Sequence, residues 1–465
     1  MEERKVITVD FVQGTLLLNG PADHILAIRE WLKYDERVGM FRARALHYGP
    51  IMLKLHRLKI PFADRARQFQ PLQLQLHGRV FSPLPHQDAA LAAWKHGGSR
   101  GVVVLPTGSG KSYLAVLAMR EVQRPTLIIV PTIDLMQQWA RQLETFFQVP
   151  VGMLGGGSRD IRDLTVSTYD SAVLQMEFIG NCFGFLVFDE CHHLPGPTTQ
   201  LAATMAMAPF RLGLTATPER NDDGEQRLYE LIGPLAYRID IDELEGKVLA
   251  PYVTRKIELD LDPDEAEEYR RARQLYRDFL QRHGIAFRSS NDWQRFIGQC
   301  ARHPDGRAAF QAYLRQKSIA RGGRSKLRRL WELLGEHRGE RIIVFTAEND
   351  IAYRIGQLFL LPVLTHKTKA AERKEMLEKF CSGAYPVLVT SNVLNEGVDV
   401  PEAGVGIIVS GSGSVREHVQ RLGRILRATA GKQAILYELV SRDTSEVYVS
   451  RRRREHRAYR HHGRY

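Results

Sequence analysis

Short apolar runs recur along the middle of the chain, at 102–105, 127–130, 164–167, 185–188 and 212–214, each giving way to a polar or helical-looking stretch. The same alternation returns at 342–345, 387–390, 405–409 and 434–440. Brief apolar runs between turn residues are the pattern of fully buried strands, and strands that alternate with helices build parallel sheets. The pattern therefore predicts two doubly wound α/β lobes, over 81–245 and 323–448. Ligands of such sheets sit at the carboxyl ends of the strands.

The flanks read differently. Residues 1–80 predict a small α+β domain: Val6–Val9 and Thr15–Leu18 are strands joined through Gly14, and 23–34 has helical spacing at Ile25, Leu26, Ile28, Trp31 and Leu32. A second helix is expected from Ile51 to Leu58, and Pro71, Pro83 and Pro85 mark a linker. Between the lobes, 262–322 places Tyr269, Ala272, Tyr276, Phe279, Phe310, Tyr313 and Leu314 at helical spacing, which predicts an all-α insertion ended by Gly322-Gly323. Residues 449–465 form a basic tail, with Arg451–Arg454 at its start.

At 465 residues the chain exceeds what one core supports. No apolar run reaches the ~20 residues of a membrane span. The four cysteines, Cys182, Cys191, Cys300 and Cys381, are scattered without metal or disulfide spacing. A reduced, cytoplasmic protein is expected. The net charge of +12 favours a polyanionic partner, since Lys and Arg contacts release counterions from a phosphate backbone.

Chemistry concentrates in two places. Leu105-Pro-Thr-Gly-Ser-Gly-Lys-Ser112 follows an apolar run and precedes a helical stretch. Strand, glycine turn and helix start form a phosphate cradle, with backbone N–H groups from Thr107, Gly108, Ser109 and Gly110, Lys111 on the β- and γ-phosphates and the Ser112 hydroxyl on Mg²⁺. Leu105 stands where that pattern begins with Gly. Further on, Asp189-Glu190 follow the run Phe185–Phe188. Asp189 suits a Mg²⁺ ligand and Glu190 a group that orients and deprotonates a water, the alternative for the pair alone being a helix N-cap made by Asp189. His192 reads as part of a hydrogen-bonding relay to the second lobe.

Asp189-Glu190-Cys191-His192 resembles the D-E-x-H box of superfamily 2 helicases, and further motifs of that superfamily follow its order. Gln87 falls where these proteins read adenine; Thr132 and Thr168 lie in segments similar to the DNA-tracking motifs; Thr215 and Thr217 lie in the coupling motif. Asp399, in Asn395–Pro401, matches the fifth motif and would touch ATP. Gln420–Arg427 resembles the sixth, with Arg424 and Arg427 as arginine fingers and Gln420 on the same helical face. Within the superfamily the chain resembles the XPB (xeroderma pigmentosum group B) type in a short prokaryotic form. The residues behind this are Arg220-Asn221-Asp222 after Pro218-Glu219, similar to a DNA-wedging Arg-Glu-Asp element, the thumb-like insertion, and Trp31–Arg37 with Phe41, Arg42 and Tyr48, similar to a damage-recognition domain. Asn221 stands where that family has Glu.

The resemblance implies two RecA-like lobes and a monomeric motor that hydrolyses ATP with Mg²⁺, moves 3′–5′ and opens damaged or forked DNA in repair. A partner nuclease is implied too. A duplex translocase or restriction-type motor without strand separation, and a DNA-binding module that recruits a nuclease, remain the alternatives.

Overall fold

The structure is a computed structural model, and it describes residues 6–77, 81–216, 224–244, 248, 251–287, 291–391, 403–411 and 434–454. The chain folds as two compact units, one built from residues up to Glu243 and the other from Leu244 onward.

The first unit opens with a five-stranded sheet in the order Lys33–Asp35, Met40–Arg44, Thr15–Asn19, Ile7–Val12, Phe62–Asp64. All its pairings are antiparallel except that of Ile7–Val12 with Phe62–Asp64. The hairpin through Gly14 is present, and the helix Tyr48–Arg57 buries Ile51, Met52 and Leu55 against the sheet's core. The expected helix over 23–34 is broken. It consists of Ala22–Leu26, a single 3₁₀ turn at Arg29–Trp31, and then the strand Lys33–Asp35. The reason lies ahead in the chain. Asp35 accepts the N–H groups of Val38 and Gly39, and that turn returns the chain as Met40–Arg44 to pair with residues 33–35.

The expected linker is tied down as well. Leu72 and Leu74 N–H groups donate to the Gln123 backbone carbonyl and Oε1, at 2.9 and 2.5 Å, and Gln123 Nε2 donates back to the Leu74 carbonyl. Asn181 joins the domain to the lobe behind it by donating to the Ala66 carbonyl and accepting the Gln68 N–H. Met207, from a lobe loop, is buried in the core of the N-terminal domain. That loop is fixed by Arg211, fully buried, whose guanidinium donates to the carbonyls of Ala203, Ala206, Ala208 and Leu231.

The lobe itself is an eight-stranded sheet, in the order Leu235–Arg238, Arg100–Val104, Phe210–Thr215, Phe185–Asp189, Thr126–Val130, Leu164–Thr168, Gly152–Gly155, Ser158–Arg159. Every pairing is parallel except the last. Helices cover both faces, so the central strands are buried on both sides and mostly apolar.

The second unit holds a six-stranded parallel sheet, in the order Tyr252–Leu259, Ala434–Ser441, Val405–Ile408, Ile342–Phe345, Val387–Thr390, Val363–Leu364. Its first strand was not expected. Arg255, Lys256 and Glu258 interrupt the apolar pattern there, because this is an edge strand whose outer face carries the Lys256–Glu258 ion pair. The helices Pro263–Arg282, Asn291–Arg302 and Gly306–Gly322 follow directly, so the bundle is inserted between the edge strand and helix Arg324–Glu336. Phe279, Phe296 and Ala309 form its core, with Tyr276, Phe310 and Tyr313 packed against them.

Bundle and sheet are joined by named contacts. Glu265 accepts the Arg324 N–H where helix Arg324–Glu336 begins, and the Tyr269 hydroxyl accepts the Ser445 N–H at 2.9 Å. Beneath them Lys326, with no exposed side-chain surface, donates to Glu446 Oε2 at 2.5 Å and to the Val409 carbonyl at 2.8 Å. Removing one partner of a buried pair leaves an uncompensated charge and costs about 3–5 kcal/mol. Lys326→Met is therefore expected to lower the denaturant midpoint of the second unit's unfolding transition by a corresponding amount. The Lys326→Met/Glu446→Leu double variant is expected to recover much of the loss.

Candidate active site

Three neighbouring strands of the first lobe end at one edge and bring the candidate residues side by side. The register sets Asp189 opposite Leu214, and Leu214 opposite Val103; Thr215 lies opposite Val104. The glycine loop therefore begins one residue beyond the level of Thr215, with the acidic pair one strand further across.

The loop is held by its own backbone and by helix Pro85–His96. Gly108 and Gly110 have φ of 86° and 84°, in the left-handed region. A side chain at Gly110 would also strike the Gln87 amide, so two constraints select glycine there. Gln87 Nε2 donates to the Ser109 and Gly110 carbonyls at 3.3 and 3.1 Å, while Gln87 Oε1 accepts the Leu84 N–H. His86 Nε2 also lies 2.8 Å from the Ser109 carbonyl. The buried Ser109 hydroxyl donates to the Pro106 carbonyl.

Leu105, unusual at the head of this motif, is buried in the lobe's main core, where it anchors the loop through packing. Its N–H donates to the Thr215 carbonyl, and its own carbonyl accepts Lys111 Nζ at 3.2 Å. The helix Lys111–Val122 starts from this turn with Ser112 in its first turn, and no acidic residue occupies that turn. The neighbouring helices differ: Asp134 and Asp170 sit in the first turns of Ile133–Phe147 and Tyr169–Ile179. Only the first of these three helix starts leaves its N-terminal dipole uncompensated, as an incoming phosphate requires. The Thr107 hydroxyl is buried with no hydrogen-bond partner among the described residues.

Asp189 ends its strand and caps no helix. Its Oδ2 accepts Trp139 Nε1 at 2.8 Å and its Oδ1 the Glu190 N–H at 3.0 Å, and Tyr169 donates to its carbonyl. Burial raises its carboxyl pKa above the usual range, opposed by the Trp139 bond and by the Lys111 charge. Glu190 then takes φ 46° and ψ 51°, left-handed for a non-glycine residue. Such a conformation costs about 1–3 kcal/mol and persists where surroundings impose it, often at functional sites. Glu190 Oε2 is buried, without a hydrogen-bond partner among the described residues, and lies 3.5 Å from His192 Nδ1. That ring nitrogen is also 3.2 Å from the Thr215 hydroxyl. His192 thus connects Glu190 with the strand that anchors the glycine loop.

Thr132 and Thr168 lie at the same sheet edge, and both hydroxyls cap helices, accepting the Leu135 and Ser171 N–H groups. Trp139 was not anticipated from the sequence. It sits mid-helix among apolar neighbours and reads as a core residue, which it also is. Thr217, Arg220, Asp222, Asp399, Gln420, Arg424 and Arg427 lie outside the described residues.

A second concave feature lies on the N-terminal domain, about 700 Å³, lined by Trp31, Tyr34, Arg37 and Arg42 among others. Arg37 and Arg42 both hold Asp35, and their hydrogen bonds keep its carboxyl well below the usual carboxylate range. Tyr34 remains 51% exposed, edge-on to Phe41.

A parallel sheet that presents a glycine loop, a helix start and an Asp-Glu pair along one edge defines a P-loop nucleoside-triphosphatase lobe. Comparison with known proteins narrows this. Residues 9–66 match the xeroderma pigmentosum group B helicase damage recognition domain, 81–220 the type III restriction enzyme res subunit, and 330–459 the ERCC3/RAD25/XPB C-terminal helicase. The chain is 40% identical over 411 residues to the DNA 3′-5′ translocase XPB2 of Sulfurisphaera tokodaii, covering 86% of this chain and 93% of that protein. It is 30% identical over 396 residues to the DNA 3′-5′ helicase XPB of Mycobacterium tuberculosis, covering 82% of this chain and 65% of that one. In structure it is similar to the Pyrococcus furiosus Hef helicase domain, with TM-score 0.54, 19% identity, and coverage of 79% and 98%. The chain belongs to the XPB/Rad25 family of superfamily 2 DNA helicases and translocases.

Proposed function

We propose that the chain is a DNA-stimulated ATPase that uses Mg²⁺ and opens duplex DNA 3′–5′ during repair, working in the cytoplasm as a monomer. Lys111 and the Thr107–Gly110 amides bind the ATP phosphates, with Gln87 and Asp399 as further ATP contacts. Glu190 orients the attacking water and accepts its proton. Arg424 and Arg427 supply positive charge at the transferring phosphoryl group. Thr132, Thr168, Thr215, Thr217, Arg220, Asp222 and Gln420, with His192, carry the coupling to DNA. The observation that carries this reading is the open acceptor Glu190 Oε2, held beside Asp189 at the strand end that neighbours the glycine loop's anchor.

Among the described residues no group of three or more His, Cys, Asp or Glu side chains forms a self-contained metal site. The donors present are hard oxygens, the Asp189 carboxylate and the Ser112 hydroxyl, which suit a Mg²⁺ ion whose remaining ligands are waters and nucleotide phosphates. Bound there, the ion supplies charge neutralisation at the phosphates. Trp139 fixes the orientation of Asp189, and loss of such an outer partner typically costs 10–100-fold in metal affinity. Trp139→Phe is therefore expected to raise the Mg²⁺ concentration for half-maximal ATPase by about that factor, read from a magnesium titration at saturating ATP.

The test of strand opening is displacement of one strand from a 3′-tailed duplex, expected with ATP and absent in Lys111→Ala. A second reading, translocation along duplex DNA without strand separation, is favoured by Asn221 in the wedge-like element. The Sulfurisphaera relative is itself named a translocase. Triplex displacement without duplex unwinding would select it. Recruitment of a nuclease through the N-terminal domain or basic tail is the remaining part of the proposal. Co-purification of a nuclease with the tagged full chain tests it.

A further inference from the structure

The helical bundle and helix Glu446–Arg454 of the second unit line an open cavity of about 610 Å³. Arg273, Arg277 and Lys317 line it from the bundle, as do Tyr276 and Tyr313; Tyr448 lines it from helix Glu446–Arg454. Tyr448 is 68% exposed. Lys317 lies 5.8 Å from the Tyr313 ring centroid, with its ammonium pKa lowered by burial and by the Arg321 charge. Glu446 belongs to the same lining and is 3% exposed. Lys326 and the Ser441 N–H occupy its Oε2, whereas its Oε1 is buried without a hydrogen-bond partner among the described residues.

These groups answer different parts of one ligand. Arg273 and Arg277, one helical turn apart, and Lys317, whose ammonium lies 3.9 Å from Glu348, gather positive charge that favours a phosphate. Tyrosine faces favour a flat ring, because stacking on aromatic side chains is how single strands are held without sequence readout. A buried carboxylate oxygen calls for N–H donors, which base edges carry and a phosphopeptide's phosphate does not. The volume falls in the range of about 300–1,000 Å³ that suits a small ligand. It admits a base with its sugar-phosphate and excludes a duplex.

We propose that this notch is a subsite for a nucleotide of single-stranded DNA, its base stacked on Tyr448 and its phosphate among Arg273, Arg277 and Lys317. The proposal rests on the reading of the chain as a DNA motor and assigns the bundle's inner face a hold on a separated strand. The test uses the full-length protein and a thymidine oligonucleotide carrying 5-iododeoxyuridine. After irradiation, adducts mapped by mass spectrometry are expected on Tyr448, Tyr276 or Tyr313. Anisotropy with the labelled strand is expected to show affinity reduced about 5- to 150-fold in Tyr448→Ala, the loss typical of one stacked base, and retained in Tyr448→Phe. Arg277→Ala is expected to lower the salt slope of binding by about 0.7. Both altered side chains are exposed. Adducts only elsewhere, or wild-type affinity in Tyr448→Ala, would overturn the subsite. Duplex-stimulated ATPase of the wild type, measured alongside, separates that failure from failure of the motor reading.

Discussion

Replacing Glu190 with Gln is expected to cut DNA-stimulated ATP turnover by about 10²–10⁴-fold while ATP still binds, the range for loss of a positioned general base. The geometry makes the separation of effects specific. Gln keeps the size and hydrogen-bonding shape of the side chain, so the left-handed turn at residue 190 and the packing around His192 should persist. What disappears is the acceptor that can take a proton from water. Fluorescent-nucleotide binding checks the first half of this expectation, and a coupled steady-state assay the second. Glu190→Gln with unchanged turnover would remove Glu190 from the chemistry and leave its strained backbone without an explanation.

Arg424→Ala is expected to lower stimulated turnover further, by about 10³–10⁵-fold, the usual worth of an arginine finger. In the proposed function the glycine loop, Lys111 and Mg²⁺ would all approach the phosphates from a single lobe. Phosphoryl transfer spreads charge over equatorial oxygens that one lobe cannot surround, so a second source of positive charge is required. In Gln420–Arg427 the residues Gln420, Arg424 and Arg427 are spaced four and three apart in the sequence, the spacing expected of residues that share a helical face. ATP affinity should change little, because the finger acts on the transition state. Arg424→Lys should rescue poorly, since an ammonium lacks the planar fork. Single-turnover measurements with the two variants distinguish a chemical defect from a binding defect.

The parts of the site that the sequence displayed are local ones. Leu105–Ser112 and Asp189–His192 are contiguous stretches in which residue type and strand-end position together imply the chemistry, and the structure sets them at one sheet edge, on strands separated by Phe210–Thr215. What the sequence hid is long-range. Trp139 meets Asp189 from fifty residues away, and its indole N–H gives no pattern that separates it from ordinary core. Gln87 also holds the loop in place, bridging its carbonyls, which residue spacing does not disclose.

The fold shows the same division. Two-sided apolar strands such as Thr126–Val130 were plain, because parallel sheets bury both faces. The charged edge strand Tyr252–Leu259 was not, because its pairing with Ala434–Ser441 connects segments far apart in the chain. The helical spacing over 23–34 also misled, since a tight turn after Asp35 outcompeted the helix by supplying a strand partner. Leu105 offers the converse lesson. Its departure from the usual motif is explained by the core beneath it, and the loop above keeps both left-handed glycines.

The most direct measurement is the steady-state ATPase rate without nucleic acid and with single-stranded, duplex and forked DNA, beside Lys111→Ala. Strong stimulation by DNA that disappears in the variant is the expected result. Turnover indifferent to every DNA, or a wild-type rate no higher than that of Lys111→Ala, would contradict the assignment of this chain as a DNA-driven motor.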